Sequence, residues 1–430
     1  MTQFKPTEAF ALNMDAEDPL RDFRQRFFIP AGKIYMDGNS LGLMSQAAEA
    51  AVQRVLNEWQ HQAIDGWLEA GQPWFTFAEN LGARCAPLVG AAADEVVATG
   101  TTTVNIHSLT ATFYRPKGKR SRILADGLNF PTDIYALKGQ IRLKGLDPKQ
   151  ELVLVPSRDG KTLDEETIVD HMSDEVAMAL LPSVLFRSGQ LLDIAYLTAK
   201  AHEKGIIIGF DCSHSVGALP HRFDDWDVDF ALWCSYKYLN GGPGSPAFLY
   251  VNRRHFRREP LLAGWFGYVK EKQFDLLLDF EHTPSAGGWQ ISSPGIINAA
   301  PLEGALTIAA EAGIEGIRQK SLLLTDYLIF LVDELLSEPP YSFQIGTPRN
   351  PQRRGGHIAL ERQQFAWEIC RALKVNKGVI PDFRGPNVIR IAPVALYNTF
   401  HEVWQVVHLI KEIIDNREYE TFIGQQAPIT

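Results

Sequence analysis

In the first half of the chain, apolar residues come in short unbroken runs rather than in strict alternation with polar ones. The runs fall at 95–98, 122–125, 152–155, 176–181, 206–210, 230–233 and 247–251. A strand that is apolar on both sides is one that buries both faces, as the strands of parallel sheets do. Helical spacing separates several of the runs, for example at 194–204. Short buried strands alternating with helices predict an α/β architecture, a mostly parallel sheet covered by helices on both sides. Ahead of the sheet, Ser45 is a natural N-cap and predicts a helix over 45–59. The stretch before it, ending in Asp37-Gly38-Asn39-Ser40-Leu41-Gly42, reads as irregular and turn-rich. From about Pro294 the pattern changes. Helical spacing at 297–312, 314–336, 363–373 and 400–415 surrounds two short strand signals at 357–360 and 388–392. The expected division is a larger domain over 45–294 and a smaller α+β domain made of 1–44 and 295–430.

Ligands of parallel sheets collect beyond the carboxyl ends of the strands, and two strand ends here carry chemistry. The run at 206–210 ends on Asp211, with His214 three residues later. The run at 230–233 leads into Cys234-Ser235-Tyr236-Lys237-Tyr238-Leu239-Asn240-Gly241-Gly242-Pro243-Gly244. A strand ending on Asp, then one ending near Lys in a glycine-rich loop, points to a pyridoxal 5′-phosphate (PLP) site. The lysine amine carries the cofactor, and the carboxylate keeps a proton on the pyridine nitrogen, where electron withdrawal needs it. The amine must be uncharged to attack a carbonyl. His214 reads either as a proton relay or as a packing residue.

Three further segments bear on the same site. Gly100-Thr101-Thr102-Thr103 precedes a helical run to Tyr114. It is either a phosphate cradle at a helix N-terminus or an ordinary N-cap. Phe130 follows a strand and is placed to stack on a flat ring, while Pro131 after it suits the first turn of a helix. Arg390 stands inside the apolar run Val388-Ile389-Arg390-Ile391-Ala392. Its charge needs a partner, either a substrate carboxylate or an internal salt bridge.

A net charge of −9 argues against nucleic acid as a main partner. Cys85, Cys212, Cys234 and Cys370 are scattered, with neither zinc nor disulfide-framework spacing. The first ten residues lack a signal-peptide pattern, and no run approaches the ~18 apolar residues of a membrane span. A cytoplasmic protein is expected.

Taken together, these stretches resemble kynureninases. The likeness rests on the segment 37–42, Thr103-Val104-Asn105, Phe130-Pro131-Thr132-Asp133, Gly209 to His214, Trp233 to Gly244, Gly264-Trp265-Phe266-Gly267 and Arg390 to Phe400. It implies a fold-type I PLP enzyme with a mostly parallel seven-stranded sheet. Its implied activity is hydrolysis of L-kynurenine to anthranilate and L-alanine in tryptophan catabolism, a route connected to NAD biosynthesis, with 3-hydroxy-L-kynurenine as a related substrate. It further implies that Lys237, Asp211, Tyr236 and His214 are catalytic. Thr102, Thr103, Phe130, Pro131, Thr132, Asp133, Trp265 and Ser293 join them in holding the cofactor, Trp265 and Ser293 from the neighbouring subunit of a homodimer. Arg390, Trp67, Asn39 and Ser292 are implied at the substrate, Arg390 on its α-carboxylate. An indole at Trp67 resembles members that prefer kynurenine itself. The chain departs from the family pattern at Pro182 and Leu185, where a hydroxyl residue and often an asparagine are expected. A cysteine desulfurase or aminotransferase of the same fold is the alternative; a desulfurase needs a reactive cysteine on a loop, whereas Cys370 falls in a helical pattern. A PLP-binding regulator without turnover is a third reading, disfavoured by the acidic balance.

Overall fold

A computed structural model describes residues 3–425. Strand β1 (Ile34–Tyr35) belongs to the N-terminal arm. Strands β2 (Val96–Ala98), β3 (Arg122–Asp126), β4 (Leu152–Val155), β5 (Val176–Pro182), β6 (Ile207–Asp211), β7 (Phe230–Trp233) and β8 (Phe248–Val251) follow. These seven form one sheet in the order β2-β8-β7-β6-β5-β3-β4, in which only β8 runs against its neighbours. This is the expected mostly parallel seven-stranded sheet, and each apolar run in the sequence is a strand to within a residue or so. Burial on both faces explains the unbroken runs. Leu124, Ala179, Leu181, Ile208 and Phe210 enter one core. Their neighbours Ile123, Ala125, Met178, Leu180 and Leu232 enter a second core on the opposite face.

A second sheet lies in the C-terminal part. Its strands are β9 (Gln344–Ile345), β10 (Ile358–Glu361), β12 (Asp382–Arg384) and β13 (Val388–Ile391), paired antiparallel in the order β12-β13-β10-β9. Helices Ile314–Leu335, Ala366–Asn376 and Phe400–Asp415 pack with it around a separate core. Strand β11 (Val379–Ile380) pairs with β1, so the N-terminal arm is stitched to this region. Among the described residues no helix is long and apolar enough to cross a membrane.

Two expectations are corrected. The arm is not wholly irregular, because Glu8–Glu17 is a helix. It buries only Ala11 fully and has little of the periodicity that reveals a helix in sequence. Its anchor is distant: the Asp15 carboxylate accepts from the amides of Phe400 (2.6 Å) and His401 (3.1 Å), at the start of helix Phe400–Asp415. The run at 297–312 is two helices, Ile296–Ala299 and Pro301–Ala312, because Pro301 starts a new helix better than it continues one. Ser45 caps helix Gln46–Gln62 as expected, accepting from the Ala48 amide at 3.1 Å.

Candidate active site

The carboxyl ends of β5, β6 and β7 open onto a cavity of about 200 Å³. Its walls are Thr102, Thr103, Leu128, Asn129, Phe130, Thr132, Asp133, Pro182, Val184, Phe186, Asp211, Ser213, His214, Tyr236 and Lys237. Most residues singled out in the sequence therefore meet in one place. Lys237 sits in the turn after β7, and its Nζ lies 3.0 Å from Nε2 of His214. The arm locks that turn. The Gly42 amide donates to the Tyr236 carbonyl at 2.7 Å. A Cβ at Gly42 would stand 2.4 Å from the Lys237 carbonyl oxygen and 2.3 Å from Asn240 Oδ1, so only glycine fits.

Opposite the lysine is a group of carboxyls. Asp211 ends β6, and its Oδ1 accepts from the Ser213 amide at 2.7 Å. Asp133 is buried, and neither of its oxygens has a hydrogen-bond partner. Burial pushes its carboxyl well above the ordinary range, and the charges of Asp211 and Asp126 push it further. Burial likewise raises Asp126, at the end of β3, to about 7. Sequence reasoning passed over Asp126, although it ends a strand as Asp211 does. Two neighbouring carboxyls, one of them with no partner for either oxygen, suit a protonated ring nitrogen as the donor they lack.

Two helices begin at the cavity, Thr102–Phe113 and Pro131–Leu143. Their starts are tied by a 2.9 Å contact between the hydroxyls of Thr103 and Thr132. Neither Thr101 nor Phe130 caps its helix with a side-chain hydrogen bond. The first-turn amides and two helix dipoles thus make an anion site of the kind a phosphate occupies. The two readings of 130–131 coexist: Phe130 is 44% exposed at the cavity, and Pro131 takes the first helical position. Pro131 itself lines an adjoining cavity of about 190 Å³ with Leu185 and Phe186. Pro182 is in the wall of the main cavity, whereas Leu185 is buried in the core.

The remaining electrostatics favour neutral groups. His214 is buried, and its pKa lies well below the ordinary histidine value through burial first, then the charges of Lys237 and Arg390. Burial, with Cys234 and Asp211 nearby, raises the Tyr236 phenol, which stays protonated.

Arg390 lies in β13 and is 1% exposed. The internal salt bridge left open by the sequence is present, to Asp382, whose Oδ2 accepts from Arg390 Nε at 2.5 Å and also pairs with Nη2. Nη1 donates to the Phe186 carbonyl at 2.6 Å and Nη2 to Ser40 Oγ at 3.2 Å. Asn39 is buried against the same guanidinium, its amide oxygen 3.3 Å from Nη1 and its nitrogen 3.0 Å from Asp37 Oδ1. Arg390 and Asn39 are not in the cavity wall, although the Arg390 charge acts on His214.

Trp67, Trp265 and Ser293 stand apart from Lys237. They line a different apolar cavity of about 410 Å³ with Phe75, Phe266 and Phe274. Ser292 is exposed beside them. The same region exposes Ile64, Leu68, Leu276, Leu277 and Leu278. All four cysteines are buried and unpaired. Cys370 is within helix Ala366–Asn376, and burial raises its thiol to about 12. A loop-borne reactive thiol of the kind a desulfurase needs is therefore not supplied by these residues.

Comparison with solved structures gives the fold. A cysteine desulfurase from Thermococcus onnurineus superposes with a TM-score of 0.77 at 18% identity, covering 92% of this chain and 98% of its own. A cysteine desulfurase from Escherichia coli gives 0.75 at 17% identity, covering 96% and 100%. Another neighbour, a C-DES variant with glycine covalently linked to its PLP cofactor, gives 0.76 at 16% identity, covering 90% and 98%. The shared architecture is that of fold-type I PLP enzymes. Residues 317–410 match the family described as the kynureninase C-terminal domain. A kynureninase from Geobacillus thermodenitrificans is 54% identical over 428 residues, 100% of this chain and 99% of the relative. One from Bacillus thuringiensis is also 54% identical, over 99% of each chain. At that identity over the full length, with the strand-end aspartate and loop lysine meeting in one cavity, the chain belongs to the kynureninase family.

Proposed function

We propose that this protein is a PLP-dependent hydrolase that cleaves the Cβ–Cγ bond of L-kynurenine, releasing anthranilate and L-alanine. The observation that carries the reading is the cavity in which Lys237, touching His214, faces the Asp211 and Asp133 carboxyls. Bound PLP supplies a carbonyl for the substrate amine and an electron sink for the bonds that break at Cα and Cβ.

The chain's own residues account for the rest. Lys237 Nζ is the amine that would hold the cofactor, and the same amine would move the proton at substrate Cα. His214, kept neutral by burial, places Nε2 3.0 Å from that amine and so orients it. Asp211 and Asp133 hold a proton at the ring nitrogen. The helix starts at Thr102 and Pro131, with Thr103 and Thr132, would hold the phosphate, and Tyr236, kept protonated, would donate to it. Phe130 offers an aromatic face to the ring. Arg390 receives the substrate α-carboxylate. Asp382 holds the Nε and Nη2 side of the guanidinium, while Nη1 meets only the neutral Phe186 carbonyl and Nη2 also reaches the neutral Ser40 hydroxyl. A substrate carboxylate adds ion-pair attraction and bidentate geometry that the Phe186 carbonyl and Ser40 hydroxyl lack, and so competes for the Nη1 edge.

In this reading a second copy of the chain completes the site, bringing Trp265, Ser293, Ser292 and Trp67 to its partner's cavity. The exposed apolar face around Leu276, Leu277 and Leu278 supports it. The larger domain over 45–294 then carries the cofactor, and the arm with 295–430 carries the carboxylate clamp. Unpaired cysteines favour a reducing, cytoplasmic compartment. The indole of Trp67 favours kynurenine over its 3-hydroxy derivative. Side-by-side assays with L-kynurenine and 3-hydroxy-L-kynurenine test the reading. Anthranilate release, faster than 3-hydroxyanthranilate release, is expected. A keto acid from transamination, or sulfide from cysteine, without any anthranilate would refute it.

A further inference from the structure

His357 is 0% exposed, just before β10, and nothing in the reaction described above uses it. Its ring stands 5.8 Å, centroid to centroid, from that of His214, tilted by 58°. Neither nitrogen of His357 has a hydrogen-bond partner of full geometry, and neither does Nδ1 of His214. The backbone groups of Phe186 and Arg187 act on the His357 ring as weak hydrogen-bonding neighbours. Three buried ring nitrogens without partners in one place are unusual, because leaving a buried N–H unpaired forfeits its whole solvation.

We propose that His357 is a positioning residue that fixes the tautomer of His214. It accepts the Nδ1–H of His214, directly or through one bridging water, and leaves Nε2 as the acceptor for Lys237. The inference rests on the reading of Lys237 as the reacting amine. A neutral imidazole has one donor nitrogen and one acceptor. If His214 carried its hydrogen on Nε2, that N–H would point at the Lys237 nitrogen 3.0 Å away and occupy the lone pair that must attack a carbonyl. With the hydrogen on Nδ1, the lone pair is free, but the Nδ1–H then needs an acceptor in a dry site. His357 is the ring beside it. At a centroid separation of 5.8 Å, a direct bond needs the rings to turn about χ2, a soft torsion for histidine, and a bridging water serves where they do not. The second His357 nitrogen turns its N–H toward the Phe186 or Arg187 carbonyl.

Charge does not compete with this arrangement. Besides the rings themselves, the charges that weigh most on them are those of Arg390, Arg384 and, when it is protonated, Lys237. The nearby Tyr238 hydroxyl is raised by burial and is neutral. With burial, these cations hold both histidines well below the usual value, so the pair works through its tautomers rather than by taking up charge.

The test uses the cofactor-free full-length protein. Nitrogen-15 NMR of labelled histidines, with the His214 signals assigned by their loss in His214→Gln, reads the tautomer. Reductive methylation by formaldehyde, followed by peptide mass spectrometry, reads the nucleophilicity of Lys237 without any need for cofactor binding. The expected result is an Nδ1–H tautomer for His214 in the wild type. His357→Phe should shift it toward Nε2–H and slow Lys237 methylation roughly tenfold, equivalent to about 1.4 kcal/mol. His357→Gln, whose amide oxygen still accepts, should restore most of both. An Nε2–H tautomer in the wild type overturns the proposal even if the variants do not fold. An unaltered tautomer and methylation rate in folded His357→Phe also overturns it. Because neither readout depends on turnover, failure here is distinguishable from failure of the hydrolase assignment.

Discussion

Gly42→Ala is a one-carbon change in the N-terminal arm, far in sequence from Lys237, yet it should strike the reacting amine. The new Cβ would stand 2.4 Å from the Lys237 carbonyl oxygen and 2.8 Å from the Asn240 Cα, where ordinary contact begins at 3.4 Å. The lysine-bearing turn must therefore retreat by roughly 1 Å, the difference between 3.4 and 2.4 Å. It cannot retreat freely, since the Gly42 amide is itself bonded to the Tyr236 carbonyl at 2.7 Å. Overpacking of this kind costs about 1–3 kcal/mol of stability. A catalytic group misplaced by an ångström loses about 100-fold in rate. The expected variant folds, melts a few degrees lower, holds cofactor less tightly and has kcat/KM lowered by about two orders of magnitude. Differential scanning fluorimetry, the visible absorbance of bound cofactor and steady-state anthranilate release measure the three effects. A Gly42→Ala protein with native kcat/KM would refute the claim that the arm sets the position of Lys237.

Arg390→Ala should lower kcat/KM by about 2–5 kcal/mol in transition-state terms. It should also destabilise the fold by about 3–5 kcal/mol, because Asp382 is left buried with only Arg384; unchanged kinetics would exclude the clamp. Asp229 accepts from His202 (2.9 Å), His255 (2.6 Å), Arg254 (2.7 Å) and the Ile208 amide (2.8 Å). Burial raises its pKa, but these bonds outweigh burial and hold the carboxyl well below the ordinary range. A depressed folded-state pKa stabilises above the unfolded value of about 3.9 and is lost as pH falls through that value toward the folded one. Asp229→Asn should therefore remove stability at pH 7 and flatten the acid limb in urea unfolding as pH falls from about 5 to 2. An acid limb identical to the wild type would count against it. Trp67→His should raise use of 3-hydroxy-L-kynurenine relative to kynurenine, and an unaltered ratio of kcat/KM values would remove Trp67 from specificity.

Much of the site is legible in sequence because parallel sheets put chemistry at strand ends. Asp211 and Lys237 follow the last apolar residues of two runs, and those runs are β6 and β7. The threonines at 101–103 and Pro131 at a first helical position mark the two helix starts. The unread parts depend on distance in space. Nothing local in Gly355-Gly356-His357 announces a ring against His214. Asp382 opens β12, and both β11 and β12 are too short to show periodicity. Its pairing with Arg390 comes from the register of β12 and β13. Helix Glu8–Glu17 escaped because its partner is the amide end of a helix nearly four hundred residues later. Trp67 and Trp265 share a cavity that one chain does not join to the lysine.

The most direct measurement is borohydride reduction of the holoenzyme followed by peptide mass spectrometry. A single pyridoxyl adduct is expected on the peptide holding Lys237, absent from Lys237→Ala, which should also lack turnover. An adduct on another lysine, or multiple turnover by Lys237→Ala, would contradict it.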